Sequence, residues 1–208
     1  MNVIVDGEAN FRLDGEPKDV LAVVGAVTSF LQEKGRAILS LKVDGEAIPP
    51  AELVERLEDT PLEDAGTLEV ESAEVGALVR ECLGDVQASI PELPKACHEL
   101  AQIFQGESPE DGFEPFQRLA ELWGVVKSRE QMAASALALS LDKLKIDHKP
   151  FDELHEELNQ YLTEAAAALE ANDCVLLGDL LEYELAPRAE MEAQILALLL
   201  EQVPDPPA

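Results

Sequence analysis

The sequence is poor in basic residues, in aromatics and in cysteine. Lys and Arg number 15 against 43 Asp and Glu, a formal net charge of −28. A field of that sign repels phosphate backbones and anionic headgroups, so it weighs against binding to nucleic acid or to a membrane surface, while a basic protein partner fits it. Residues 1–72 carry 16 acidic and 6 basic groups and the remainder 27 and 9, so no acidic tail stands apart. Aromatics make up 4% of the chain, which leaves Leu, Val and Ala to fill a core. Cys82, Cys97 and Cys174 are odd in number, widely spaced and set among apolar neighbours. They predict buried free thiols in a reducing cytoplasm rather than a disulfide framework or a metal site.

Long hydrophobic runs are missing too. The most apolar window, Ile195 to Leu200, is far shorter than the roughly 20 residues that span a bilayer. The N-terminal MNVIVDGEANF has neither a basic n-region nor an apolar h-region, so no secretory signal is expected. GxGxxG, GxxxxGK[ST] and GxSxG are all absent, and with them the common dinucleotide, phosphate and acyl-transfer signatures. Two stretches approach the HExxH zinc helix, but Gln102 after His98-Glu99 and Asn159 after His155-Glu156 stand where the second histidine belongs. Asp152 and His155 offer one carboxylate-x-x-His spacing for a bundle-type di-metal site, and no second copy is visible. No catalytic residue, metal or cofactor is therefore expected.

What the chain does have is amphipathic helix. The stretch Asn172 to Leu200 places Leu177, Leu180, Leu181, Leu185, Met191, Ile195, Leu198 and Leu199 mostly three or four apart, one stripe that other helices must cover. Three earlier segments supply that cover. Ala73 to Phe104 is broken near Ser89, where Pro91 and a Ser89/Glu92 capping-box spacing restart the helix. Phe113 to Ile146 follows the loop 106–112, with Leu119, Leu122, Val126, Ala133, Leu137, Ser140 and Leu144 at seam spacing. Phe151 to Leu169 follows a turn at Asp147 to Pro150, and Asn172-Asp173 caps the last helix. Ala133 to Ala138 and Ala165 to Ala168 are rich in small residues that permit close helix approach. Short connections between four such helices predict an up-and-down four-helix bundle over 73–202, and the prolines of 203–208 predict a disordered tail.

The first third reads differently. Val3 and Val5 alternate with polar neighbours up to Asp6-Gly7, and Ala9 to Leu13 alternates again, which predicts a hairpin. A helix from Lys18 to Lys34 ends at Gly35. A strand from Ala37 to Val43 follows, then Asp44-Gly45, an extended piece Glu46 to Ile48, a short helix Ala51 to Glu58 and a strand Thr67 to Val70. This order of elements over 1–72 resembles the ubiquitin-like β-grasp fold. Members used as conjugation tags end in a free Gly-Gly carboxylate, whereas here Glu71-Ser72-Ala73 runs into a helix. The resemblance thus implies a fused binding or spacing module.

The expected fold is α+β, a β-grasp domain followed by a helical bundle, and the expected function is a non-enzymatic cytoplasmic interaction or adaptor protein. A small acidic chaperone for a secreted or appendage subunit and a bundle-type metalloenzyme are the alternatives, and homo-oligomerisation stays open. The residues singled out for partner binding are Glu182, Tyr183, Glu184 and Arg188, around Pro187. Proline inside a helix removes a donor and crowds the carbonyl four residues back, so a kink there would splay backbone carbonyls and could present a recognition or dimer surface. The competing reading is a packing bend with Tyr183 half-buried and its hydroxyl wet.

Overall fold

A computed structural model describes residues 1–9, 17–140, 143–146 and 148–204. The protein is mixed α+β and mostly helical, and its chain divides into two compact units, Met1–Leu78 and Val79–Ala208.

The first unit is a sheet with one helix against it. Strand β1 (Asn2–Val5) ends in a tight turn at Asp6 and Gly7, both with positive φ. Val5 and Glu8 bond each other across the turn through both backbone groups, the two-residue geometry that Asp-Gly favours. The return strand expected at Ala9 to Leu13 lies, beyond Ala9, outside the described residues. Helix α1 (Val20–Glu33) is capped by Asp19, whose Oδ1 accepts from Ala22 N at 2.7 Å, and stops where Gly35 takes φ +66°. Its buried stripe of Val20, Val23, Val24, Val27 and Leu31 packs with Val3, Val5, Leu41, Leu68 and Val70. Strand β2 (Arg36–Val43) turns through Asp44-Gly45 into the short β3 (Glu46–Ala47). After a 3-10 turn and helix α2 (Leu53–Leu57), strand β4 (Thr67–Glu74) inserts between the first two, giving the order β1-β4-β2-β3. It runs parallel to β1 and antiparallel to β2. Asp44 holds the start of β4, accepting from Gly66 N and Thr67 N, and Asp6 holds the far part through Ser72 and Arg36.

In the second unit, α3 (Val75–Gln87, which starts in the first) and α4 (Glu92–Phe104) are separated by a break at residues 88–91. No side chain caps α4; the Ser89 carbonyl, not its hydroxyl, accepts from Glu92 N. Helix α5 (Phe113–Ala136) is ten residues shorter than the periodicity suggests. It ends because Ala138 turns left-handed at φ +52°, with Leu139 N bonded to Ala134 O and Ala138 N to Ser135 O, the closed C-terminal motif usually given to glycine. Leu144 to Ile146, expected on the helix, instead leads into a small hairpin of β5 (Lys145–Ile146) and β6 (Lys149–Pro150). Helix α6 (Phe151–Glu170) closes the same way, with Asn172 left-handed at φ +53° and Asp173 N bonded to Ala168 O. Asp173 then caps α7 (Cys174–Leu180), and α8 (Ala186–Glu201) completes the unit. Helix α4 packs against α7 and α8, α6 against α7, and α5 against α4 and α8. The tail expected to be disordered from Val203 is anchored at its first two residues: Val203 is buried and the Pro204 carbonyl accepts from Arg80. Residues 205–208 lie outside the described residues. Burial pushes the Cys97 thiol up to about 12, while Cys82 and Cys174 are partly exposed.

Gly112 is a position where packing, not backbone freedom, selects glycine. A Cβ there would stand 2.8 Å from Phe104 Cζ and 2.9 Å from Cε1, and that ring is itself held by Phe113 and Phe116 at centroid distances of 5.8 and 6.3 Å. Gly112→Ala is therefore expected to lower stability by about 1–3 kcal/mol through overpacking, read as a reduced urea midpoint at unchanged slope.

Candidate functional site

Between α7 and α8, where the sequence predicts a kink at Pro187, the helix widens. Leu181–Leu185 forms a single π turn in which Ala186 N–H bonds to the Leu181 carbonyl. Pro187 is the reason. It has no N–H to give the Tyr183 carbonyl four residues back, and its ring crowds that carbonyl, so an extra residue enters the turn instead. Such bulges gather at functional positions.

The four residues singled out from the sequence separate here. Tyr183 stands out, 69% exposed. Glu182 Oε2 lies 2.9 Å from His98 Nδ1 of α4 on one side, and Glu184 accepts a hydrogen bond from the Tyr161 hydroxyl of α6 on the other. Arg188 does not join them. Its side chain is only 12% exposed and pairs with Glu157 of α6, which also takes the Lys149 ammonium at 2.8 Å. Residues that periodicity did not flag complete the exposed face: Leu176, seven positions before Tyr183, and its neighbour Val175, which is 67% exposed. Asp179 lies between them and accepts from the Gln105 amide at 3.1 Å. An apolar strip edged by carboxylates results.

A second constellation lies inside the unit. Glu130 of α5 is 0% exposed and Glu192 of α8 is 2% exposed. Lys127, one turn before Glu130, reaches both carboxyls, at 3.0 Å to Glu130 and 2.6 Å to Glu192. The indole of Trp123 donates to Glu192 at 3.2 Å, and His155 Nε2 lies 3.2 Å from Glu130 Oε2 with its ring tilted on Phe151. Burial, aided by the Lys127 charge, lowers the His155 pKa to about 4, so near neutrality the ring is uncharged and its Nε2–H donates to Glu130. Burial raises the Glu192 carboxyl to about 7, with Lys127 opposing and the Glu130 carboxyl adding to the rise. Glu130 Oε1 has no partner.

Of the pair noted for metal-like spacing, His155 therefore meets a carboxyl already bonded to an ammonium, while Asp152 is exposed and accepts from the Glu153 backbone N–H. Among the described residues no three His, Cys, Asp or Glu side chains stand together in a way that could hold a metal ion. The sequence signal that could have found this cluster is Lys127-x-x-Glu130 on a predicted seam next to Val126. Glu192 carried none, because a straight helix puts Met191 on the inner face. The π turn adds one residue, so the buried positions move to Ala189, Glu192, Leu196 and Leu199, beside Ile195.

Comparison with known proteins divides the chain much as the structure does. Residues 1–74 match the TP0873 N-terminal domain. Over 189 residues the chain is 23% identical to a protein of Treponema pallidum (strain Nichols) described as "Uncharacterized protein", covering 90% of this chain and 92% of that one. No solved structure matches. Residues 81–191, more than half of the chain, match the family described as "Domain of unknown function (DUF8042)", and the chain therefore belongs to that family.

Proposed function

We propose that this protein is a non-enzymatic adaptor whose helical unit binds a protein partner through the face formed by Val175, Leu176 and Tyr183. The observation that carries this reading is Tyr183, a large aromatic exposed on a π turn whose neighbours Leu181 and Leu185 are fully buried. Aromatic anchors of this kind dominate binding energy at protein interfaces. The carboxylates of Asp179, Glu182 and Glu184 edge the face, and the chain carries −28 overall, so a basic partner fits by charge and would associate quickly at low salt. An enzymatic role gains no support from the Lys127–Glu130–Glu192 cluster, because its carboxyls are sealed from any substrate.

The N-terminal unit is, on this reading, a ubiquitin-like β-grasp domain. In support, β1 pairs in parallel with β4, β2 and β3 lie beyond β4, and α1 packs on the sheet between its first two strands in sequence. A four-helix bundle is the matching reading of α4, α5, α6 and the joined α7–α8. A cytoplasmic site of action fits the three free thiols; no helix among the described residues is long and apolar enough to cross a membrane.

Leu176→Ser with Tyr183→Ala tests the face. Both side chains are exposed, so the denaturation midpoint should change by no more than about 0.5 kcal/mol equivalent, while capture of partner from lysate of the source cells by the immobilised protein should fall at least tenfold. Equal capture by the variant and the wild type would remove the proposal, as would a large loss of stability, which would assign these side chains to packing.

A further inference from the structure

We propose that the buried Lys127–Glu130–Glu192 cluster holds one exchangeable proton between its two carboxyls and acts as a packing switch: α5 and α8 grip each other while the proton is bound and loosen when it leaves. The proposal does not depend on the partner-binding reading. Its basis is a charge count at a sealed site. Two carboxyls and one ammonium are enclosed together, both carboxyls bond that same ammonium, at 3.0 and 2.6 Å, and a proton held by the pair removes the charge that one ammonium leaves unbalanced. Without it, one of two buried negative charges has no counter-charge, and desolvation penalises it.

The other groups facing the pair do not supply the missing charge. From α6, His155 is neutral near pH 7 and Asp152 adds negative potential. From α8, Arg188 lies one turn before Glu192 and its charge favours that carboxylate from a distance, but its direct ion pair is with Glu157. The indole of Trp123 on α5 is a neutral donor. The Glu130 Oε1 atom without a partner marks where the network is already incomplete.

The expected pH window follows from the two shifted groups. Glu192, raised from 4.5 to about 7, contributes stability that is present in full below pH 4.5 and is lost as pH climbs through 7. His155, lowered from 6.5 to about 4, works in the other direction, contributing stability that is present above pH 6.5 and lost as pH falls through 4. Between about 4.5 and 6.5 the two nearly cancel. Above that range only the Glu192 loss remains, so the switch operates around neutrality, with its midpoint near pH 7.

Trp123, the one tryptophan in the chain, bonds directly to Glu192 and serves as the reporter. Its emission in the full-length protein is expected to titrate with a midpoint near 7 in the wild type and to stay flat in Glu192→Gln. Amide exchange of α5 and α8, corrected for intrinsic rate, should rise about two- to fourfold between pH 6.5 and 8.5 in the wild type and not in the variant. Should Glu192→Gln fail to fold, carboxyl carbon NMR of the wild type decides: one glutamate should titrate at least two pH units above the bulk. Emission or exchange that changes equally in Glu192→Gln, or the absence of any glutamate titrating above pH 6, would overturn the proposal.

Discussion

Lys127→Met is expected to destabilise the helical unit by about 3–5 kcal/mol at pH 7.5, the range for removing one member of a buried ion pair. The methionine fills nearly the same volume, so the loss is electrostatic. Lys127 contributes the donors to Glu130 at 3.0 Å and to Glu192 at 2.6 Å, and without it two sealed carboxyls face each other with only neutral donors from Trp123 and His155. Acid should rescue the variant in part. As pH falls toward 5.5 the carboxyls take up protons, which removes the buried negative charge that Lys127 no longer balances. Denaturation followed by Trp123 emission at pH 7.5 and 5.5 measures both effects; an equal loss at the two pH values would mean that Lys127 acts through packing alone. Replacing the whole cluster, Lys127→Met with Glu130→Leu and Glu192→Leu, should recover the lost stability or exceed the wild type by about 1–4 kcal/mol, since an apolar core avoids the desolvation that buried ions require.

Leu181→Ala should cost about 2–5 kcal/mol, transfer energy plus a cavity. Leu181 is fully buried and opens the π turn, its carbonyl accepting from Ala186 N. Truncation there empties the space where the turn meets α4 and α6. Urea denaturation compared with Leu176→Ser makes the contrast: residues five apart in one continuous helix, one expected to decide stability and the other to leave it nearly unchanged. A loss below about 1 kcal/mol for Leu181→Ala would show that the helices collapse onto the gap.

The helices were legible in the chain wherever a local signal stood beside the periodicity. Asp19 before α1, Gly35 after it, Pro91 at the break between α3 and α4, and Asp173 before α7 each mark an end that the structure shares. Asp6-Gly7 and Asp44-Gly45 mark tight turns for the same reason, a positive φ that few other pairs adopt without strain. The end of α5 was not legible, because Ala138 takes the left-handed conformation against its own preference, and a helix former in a run of alanines gives no warning.

The sequence by itself determined which segments are amphipathic, that a strand-rich first third precedes a helical remainder, and that the surface is strongly acidic; each depends on neighbours in the chain or on composition alone. Tertiary structure decided which of the last helix's faces is inside. Pro187 announces a disturbance, yet whether the backbone bends or inserts a residue depends on the helices packed around it, and here insertion carries the buried face onto Glu192 and separates Arg188 from Tyr183. The Lys127, Glu130, Glu192 and His155 cluster arises from three helices that share no local pattern. Its protonation is likewise a tertiary property, because the desolvation that raises Glu192 and lowers His155 exists only once those helices have closed over them.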